Sequence, residues 1–531
     1  IRDRLELFAR SSRIAASVLP TRRLSKLPVP GLSRVKHSVV AKEMAKSHVI
    51  VGTVDDIASF GTLDNLDGKT LITSAVDEDA LDFFAECNVN LVVDVSPMLF
   101  DRVVGLSTIQ AMILAALNTT TEELSGHDLE EIVEELDLQP RLLHPTGEFR
   151  NIRRFAFVVH PLSQEYIAKG FPVPKSTPKL ILDQVERMAA HMPPIVYSKM
   201  SNIISPTGAE AEGWLITVGG TPKEMLSRSP EFTYRRLLGA AKMAEKMGAQ
   251  IIGLGAFTKV VGDAGVTVAR RARIPVTTGN SYSASGALWA AADAMRRMNL
   301  VKVRRNGKVA AKTMVIGASG SIGSVSARLL AMAFDEVYLA SRTLSKLEAL
   351  RDSILEETPD AKVVATVDYE QYLGDMDMIV TSTSGAGKKI LDITKVKPGC
   401  VITDVARPLD LPPSEVAKRP DVLVIESGEI ELPSEVRMKD IGLPKNVIYA
   451  CLAETIVLAL EGRFEVFTIG RDTEWQKAKE IYRMGLKHGM RLAAISGVNG
   501  VFSDEDIAEV VKRAKEARKT WKGGSAAAKK T

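Results

Sequence analysis

The alternation of apolar and polar positions divides the chain into α/β segments. "VIVG" (49–52), "KTLITS" (69–74) and "NLVVDVS" (90–96) are short β-rich runs, and "DEDALDFFAEC" (77–87) repeats its apolar residues at helical spacing between the last two. Strand, helix and strand in that order predict a small α/β unit with parallel pairing. Acidic "TEELSGHDLEEIVEELDL" (121–138) predicts a solvated helix or helical hairpin, and "HPTG" (144–147) punctuates the chain near a domain boundary. A second α/β region opens with the strand "RFAFVVH" (154–160). It passes through a helix over 233–249, which Gly248 ends, and returns at once to a strand at "IIGLGA" (251–256). A helix over 283–298 leads into the third region.

There, "KTMVIG" (312–317), "EVYLAS" (336–341), "KVVATV" (362–367), "DMIVTST" (377–383), "CVITDVA" (400–406) and "VLVIES" (422–427) are continuous apolar runs. Such runs mark strands buried on both faces of a parallel sheet, and the helical stretches between them predict a doubly wound nucleotide-binding architecture. Helices follow at 450–462, 474–489 and 503–519. The first is apolar nearly all round and must be buried, so 445–519 is expected to pack back on the 150–296 lobe. The expected organisation is a basic arm (1–47), a small N-terminal α/β domain (48–147) and the first part of an α/β substrate domain (148–296). An inserted Rossmann domain (297–444), a helical return to the substrate domain (445–519) and a low-complexity tail (520–531) complete it.

A length of 531 residues corresponds to about three to four domains. Lysine plus arginine (69) less aspartate plus glutamate (65) leaves +4, which excludes a whole-chain nucleic-acid binder. Three cysteines, at 87, 400 and 451, exclude a disulfide framework and point to a reducing compartment, the cytoplasm or an organellar stroma or matrix. No run reaches the roughly 18 apolar residues of a spanning helix, and the longest candidate, 106–117, reads as a core helix. Residues 1–47 are rich in Arg, Lys and Ser and poor in acids. They fit a solvated arm, a transit-peptide remnant, or a basic surface for an acidic partner or membrane. The chain opens on Ile1 rather than methionine, so its natural start is expected to be missing or processed. Peripheral membrane contact and homo-oligomerisation stay open, and no metal site is expected.

The strand "TMVIG" runs directly into Gly317-Ala318-Ser319-Gly320-Ser321-Ile322-Gly323, and a helix opens at Ser324. Standing between a buried strand and a helix, the glycine triplet is a dinucleotide fingerprint. Gly317 allows the sharp turn, Gly320 lets the backbone approach a pyrophosphate, and Gly323 allows close helix–sheet packing, with the phosphates on the helix N-terminus. An NAD site places an acidic residue about 20 residues further on. Here the second strand ends in Ser341-Arg342-Thr343, with Lys346 close behind, and an arginine there pairs with a 2′-phosphate. NADP(H) is the expected cofactor. Thr383 and Ser384, in "TSTSGAG" (381–387), are expected near its ribose or nicotinamide.

From about residue 250 to 495 the chain resembles the long-chain acyl-[acyl-carrier-protein] reductases, which make fatty aldehydes. The strings that carry the resemblance are "LGAFT" (254–258), "TTGNSYSA" (277–284), "VIGASGSIGS" (315–324), "CVITD" (400–404), "ACLAET" (450–455), "LEGRFEVFTIGR" (460–471) and "KHG" (487–489). A substrate lobe followed by an NADP-binding lobe is also similar to the shikimate/quinate dehydrogenases. The resemblance implies that Cys400 is a nucleophile, taking the acyl group from acyl-carrier protein or acyl-CoA before NADPH delivers hydride to release aldehyde. Its thiol needs a lowered pKa, for which Arg407, Lys259 or the bound cofactor are candidates, whereas Cys451 and Cys87 read as structural. Thr278 and Asn280 are candidates for oxyanion donors, with a helix N-cap cluster as the alternative.

Two other functions compete. A shikimate/quinate-type alcohol dehydrogenase needs a lysine–aspartate pair, for which Lys259 with Asp263 or Asp404 are candidates. A regulatory protein that binds NADP(H) without turnover is the third reading.

Overall fold

The computed structural model describes residues 40–522, apart from 97, 100–101, most of 122–139, 148–149, 162–178, 256–261, 306, 384–388, 407–408, 427 and 472–473. The acidic stretch 121–138 therefore lies largely outside the described residues. The chain falls into two compact units, Ile1–Arg150 and Asn151–Thr531. Among the described residues, no helix is long and apolar enough to cross a membrane.

In the first unit, β1 (Val49–Val51), β2 (Thr70–Thr73) and β3 (Leu91–Asp94) pair in parallel, and Arg141–Leu143 (β4) lies antiparallel against β3. Helix α1 (Glu78–Glu86) is started by Asp77, whose carboxylate accepts the Ala80 N–H, and it turns Ala80 and Phe84 into the core with Leu71 and Val92. Asp94, fully buried at the end of β3, accepts N–H groups from Ala75, Val76 and Ser96 and pairs with Arg141. The helix Leu106–Leu117 is not the core helix its composition suggests. Ile109 is buried, but most of its other described residues are half or fully exposed, Leu117 by 53%.

Among the described residues the second unit contains a short three-stranded sheet (Val447–Tyr449, Glu429–Glu431 and Arg491–Leu492) and two larger ones. The smaller of these two has the order β9 (Val276–Thr277), β8 (Ile251–Leu254), β5 (Ile152–Val159), β7 (Glu210–Thr217), β6 (Ile195–Ile204), parallel except for β6. Helix α2 (Pro230–Lys246) covers it with Leu237, Ala240, Ala241 and Ala244. The larger sheet begins with β10 (Val309–Ile316), flanked on one side by β11 (Phe334–Ala340) and β12 (Lys362–Thr366). On the other side stand β13 (Met378–Thr381), β14 (Val401–Asp404) and β15 (Leu423–Glu426), all parallel. This is the doubly wound order, with helices α4 (Ser321–Ala333) and α5 (Leu344–Glu357) following β10 and β11.

Helix α3 (Asn280–Met298) joins the two larger sheets. Its buried face is made of small residues, including Ala284, Gly286, Ala287, Ala291 and Ala294, so neighbouring helices come close. It packs on α4 and on the later helices α6 (Ala450–Glu461) and α7 (Trp475–Lys487). Helix α6 is buried from Leu452 to Leu460 and lies across β5 and β8. The nucleotide-type domain is thus inserted in the chain of the α/β substrate domain. The last helix, α8 (Asp504–Arg518), packs on α3 within the 150–296 stretch and reaches the larger sheet as well. Its Ile507, Val510 and Val511 join the core of the larger sheet beside Val401, Leu423 and Ile425. The intervening pair Ser496–Gly497 and Gly500–Val501 extends that sheet's edge. Amphipathicity specifies that α8 must bury one face, not which sheet receives it.

Ile456, wholly buried in α6, is expected to lower stability by about 2–5 kcal/mol when replaced by alanine. Chemical denaturation of Ile456→Ala against wild type measures it.

Candidate active site at the carboxyl edge of the nucleotide sheet

Strand β10 ends at Ile316, and the next residues form the loop predicted from the glycines. Gly317 has φ +89°, and both its N–H and that of Ala318 donate to the Ala340 carbonyl at the end of β11. Gly320 closes a turn on the Gly317 carbonyl at 2.9 Å. A Cβ on Gly323 would lie 2.2 Å from the Gly317 oxygen, whereas one on Gly320 would meet only the carbonyl oxygens of Gly317, at 3.3 Å, and Ser382, at 3.9 Å. One glycine is required by packing. The other leaves a cradle that a pyrophosphate fits, ahead of a helix whose amino end no side chain caps.

The other expected cofactor residues divide by role. Ser319 and Ser341 hydroxyls bond each other at 2.7 Å, tying the loop to the end of β11. Arg342 is exposed just past that strand and has no carboxylate within 4 Å among the described residues, a guanidinium free for a 2′-phosphate. Thr343 starts α5 without a side-chain cap. Ser321 instead donates to the Gly470 carbonyl at 3.0 Å, and Ile322 packs in the cluster of Ala284 and Val325. Thr383 is engaged by protein: its hydroxyl donates to Asp410 at 2.6 Å. Ser384, Lys259 and Arg407 lie outside the described residues.

Cys400 is not at this site. It precedes the first residue of β14, level with Asp377, and so stands at the amino edge of the sheet, about five residues of strand, or roughly 16 Å, from the glycine loop. It has no exposed surface and sits among Ile379, Ile402 and Val424. Burial, reinforced by the Asp377 carboxylate, pushes its thiol well above the ordinary range, the opposite of what a nucleophile needs. The sequence shows that a cysteine opens a strand; only the direction of that strand in the sheet shows that it faces away.

A different cysteine lies at the carboxyl edge. Ala450 N–H donates to Gly428, two residues past the carboxyl end of β15, and this fixes the start of α6 at the correct edge. Cys451, half-buried in that first turn, lies against the turn that opens α3: a Cβ on Gly279 would be 2.4 Å from the Cys451 Cβ. No side chain caps α6, and the free N–H groups of a helix start favour negative charge. Helices α3 and α4 begin beside each other, since Ala284 and Val325, four residues past the first residue of each, share one cluster. Cys451 was concealed because α6 is apolar. Its place at a helix start following a strand-like run was the signal available.

Of the two predicted donors, Thr278 is committed to structure. Its hydroxyl and N–H both reach the Thr468 carbonyl, at 3.2 and 2.9 Å. Asn280, the first residue of α3, remains beside Cys451 through Gly279. The aspartates of the alcohol-dehydrogenase reading are also engaged. Asp404 accepts N–H groups from Ala406, Asp410 and Leu411. Burial raises the Asp263 carboxyl, but hydrogen bonds from Thr267 and Tyr234 outweigh it and hold the group below the usual range.

Gly320→Val, at a backbone conformation open to any residue (φ −86°, ψ 165°), is expected to keep the fold and lose dinucleotide binding, whereas Gly323→Ala should cost about 1–3 kcal/mol of stability. Circular dichroism with NADPH fluorescence titration separates the two. Arg342→Ala is expected to weaken NADPH binding about ten- to hundredfold and leave NADH unchanged, read by the same titration with both cofactors.

Comparisons with known proteins follow the same division. Residues 300–431 match the Shikimate / quinate 5-dehydrogenase family, and residues 2–145 match a family described only as a domain of unknown function. The chain is 29% identical over 345 residues to the aminotransferase PigE of Serratia sp., a stretch that is 63% of this chain and only 39% of that protein. It is 24% identical over 357 residues to the long-chain acyl-[acyl-carrier-protein] reductase of Synechococcus elongatus, 62% of this chain and 93% of that one. Among solved structures, quinate dehydrogenase from Corynebacterium glutamicum in complex with NAD shares 11% identity at a TM-score of 0.29, covering 62% of this chain and 99% of its own. The chain is thus similar to a long-chain acyl-[acyl-carrier-protein] reductase over 62% of its length and carries a Shikimate / quinate 5-dehydrogenase match across most of its nucleotide domain.

Proposed function

We propose that this protein is an NADP(H)-dependent oxidoreductase that reduces a long-chain acyl thioester, carried on acyl-carrier protein or CoA, to the aldehyde through Cys451. The observation that carries the reading is the position of that thiol, in the uncapped first turn of α6, against the Gly279 turn and at the same sheet edge as the dinucleotide loop. A relative named as an acyl-[acyl-carrier-protein] reductase supports the substrate class.

The Gly317–Gly323 loop would hold the pyrophosphate of NADPH and Arg342 its 2′-phosphate, and the cofactor would supply the hydride. Cys451 attacks the thioester carbonyl carbon: a bond from its sulfur to that carbon forms, the bond to the carrier sulfur breaks, and the cysteine proton departs with the carrier thiol. The Asn280 side-chain amide and the N–H groups of the α6 first turn donate to the carbonyl oxygen while it carries negative charge. On release of the aldehyde the bond between its carbon and the Cys451 sulfur breaks, the sulfur keeps the electron pair, and a proton from water restores the thiol. An alcohol-dehydrogenase function is disfavoured, because the Asp263 carboxylate is held by Thr267 and Tyr234 and that of Asp404 by the N–H groups of the loop that follows it.

Incubation with a long-chain acyl-CoA in the absence of NADPH is expected to add one acyl group to the peptide containing Cys451, and NADPH should discharge it as aldehyde. Cys451→Ser should lose at least about a hundredfold in kcat while keeping NADPH affinity, and Cys400→Ser should retain turnover. Acylation of Cys400, or near-normal turnover by Cys451→Ser, would refute the assignment.

A further inference from the structure

We infer that Glu454 positions the two sides of this site against each other, an inference that rests on the reading of Cys451 above. Glu454 lies three residues past Cys451, one turn along α6, and has no exposed surface. Between Ala450 and Leu460 every other residue of that helix is uncharged. A carboxylate is costly to bury unless hydrogen bonds replace its water. Here Oε1 accepts from the Thr277 hydroxyl at 2.5 Å and Oε2 from the Tyr282 N–H at 2.9 Å.

These two bonds straddle the turn that carries Gly279 and Asn280. Tyr282 is the third residue of α3, whose N-cap is Gly279, without a side chain to satisfy the first turn. Glu454 therefore acts from another helix as an N-cap side chain would. The Thr277 oxygen also accepts the Thr468 N–H at 3.2 Å, and the Thr468 hydroxyl donates to Ser281 at 2.8 Å. Two residues on, Gly470 receives the hydroxyl of Ser321 from the dinucleotide loop. One carboxylate thus fixes the thiol-bearing turn of α6 relative to Asn280, and through Thr277 and Thr468 relative to the cofactor loop. A displacement of about 1 Å between reacting groups costs on the order of a hundredfold in rate, so the role is one of positioning, without contact to substrate.

Glu454→Gln is the test because it preserves shape. Its amide offers one acceptor and one donor, so either Thr277 or Tyr282 faces an NH2 group. With acyl-CoA and NADPH, kcat is expected to fall about ten- to hundredfold while KM for both stays within about threefold. Thr277→Val should lose less in the same direction, and Thr277→Ser, which restores the hydroxyl, should recover the loss. Independently of thioester chemistry, iodoacetamide should alkylate Cys451 at least about fivefold faster in Glu454→Gln, because the turn packed on it is released. Alkylation and kcat within twofold of wild type would overturn the inference, as would a change confined to KM or a Thr277→Val loss that serine does not recover. Absence of acyl-enzyme in the wild type would remove the thioester reading alone, since the alkylation comparison still decides the role of Glu454.

Discussion

The approach of two backbones at Gly279 and Cys451 sets the geometry of the whole crevice. Because residue 279 has no side chain and adopts φ +70°, the opening turn of α3 lies directly on the opening turn of α6. The alanine and glycine face behind it lets α4, α6 and α7 settle around α3. Any bulk at this contact would move Cys451 and Asn280 at the same time. Close packing here couples the two helix starts, since interiors respond to small volume changes by shifting whole elements.

The parts of the site that the sequence made legible are those whose constraints are local. Gly317 and Gly323 are demanded by a turn and a clash within seven residues, and Arg342 follows its strand end in order. The parts that were hidden depend on tertiary direction. Cys400 and Cys451 are both apolar-flanked cysteines at the start of an element, and only the sheet separates the amino edge from the carboxyl edge. Thr278 and Thr383 have the composition of ligand-binding residues, yet each hydroxyl is consumed by a partner distant in sequence, Thr468 and Asp410. The same holds for α8, whose buried stripe is plain but whose partner sheet is set by long-range topology.

The two edges of the larger sheet differ in their electrostatics. At the amino edge a groove of about 690 Å³ is lined by Arg304, Lys312, Glu336, Asp377, Lys397 and Trp521 among others. Its charges are largely spent on each other, as in Arg304–Asp335, Lys312–Glu336 and Lys397–Asp377. The first two pairs are partly exposed and contribute little individually, whereas Asp377 is buried. At the carboxyl edge Arg342 has no carboxylate partner among the described residues and no side chain caps the starts of α4 and α6, so positive potential is less balanced there.

The insertion of one domain in another also dictates an order of assembly. Arg153, at the beginning of the smaller sheet, donates to the Leu460 carbonyl, 307 residues later, and β5 and β8 acquire their covering helix only when α6 has been made. At a synthesis rate of about 5–20 residues per second, roughly 15–60 seconds separate the emergence of these partners from the ribosome. Near the end of that interval the nucleotide domain has all six of its parallel strands while the lobe that precedes it in the chain still lacks part of its core. The half-built lobe presents an apolar sheet face to the cell, and its survival to completion is a problem of kinetics and chaperone shielding that the finished structure no longer displays.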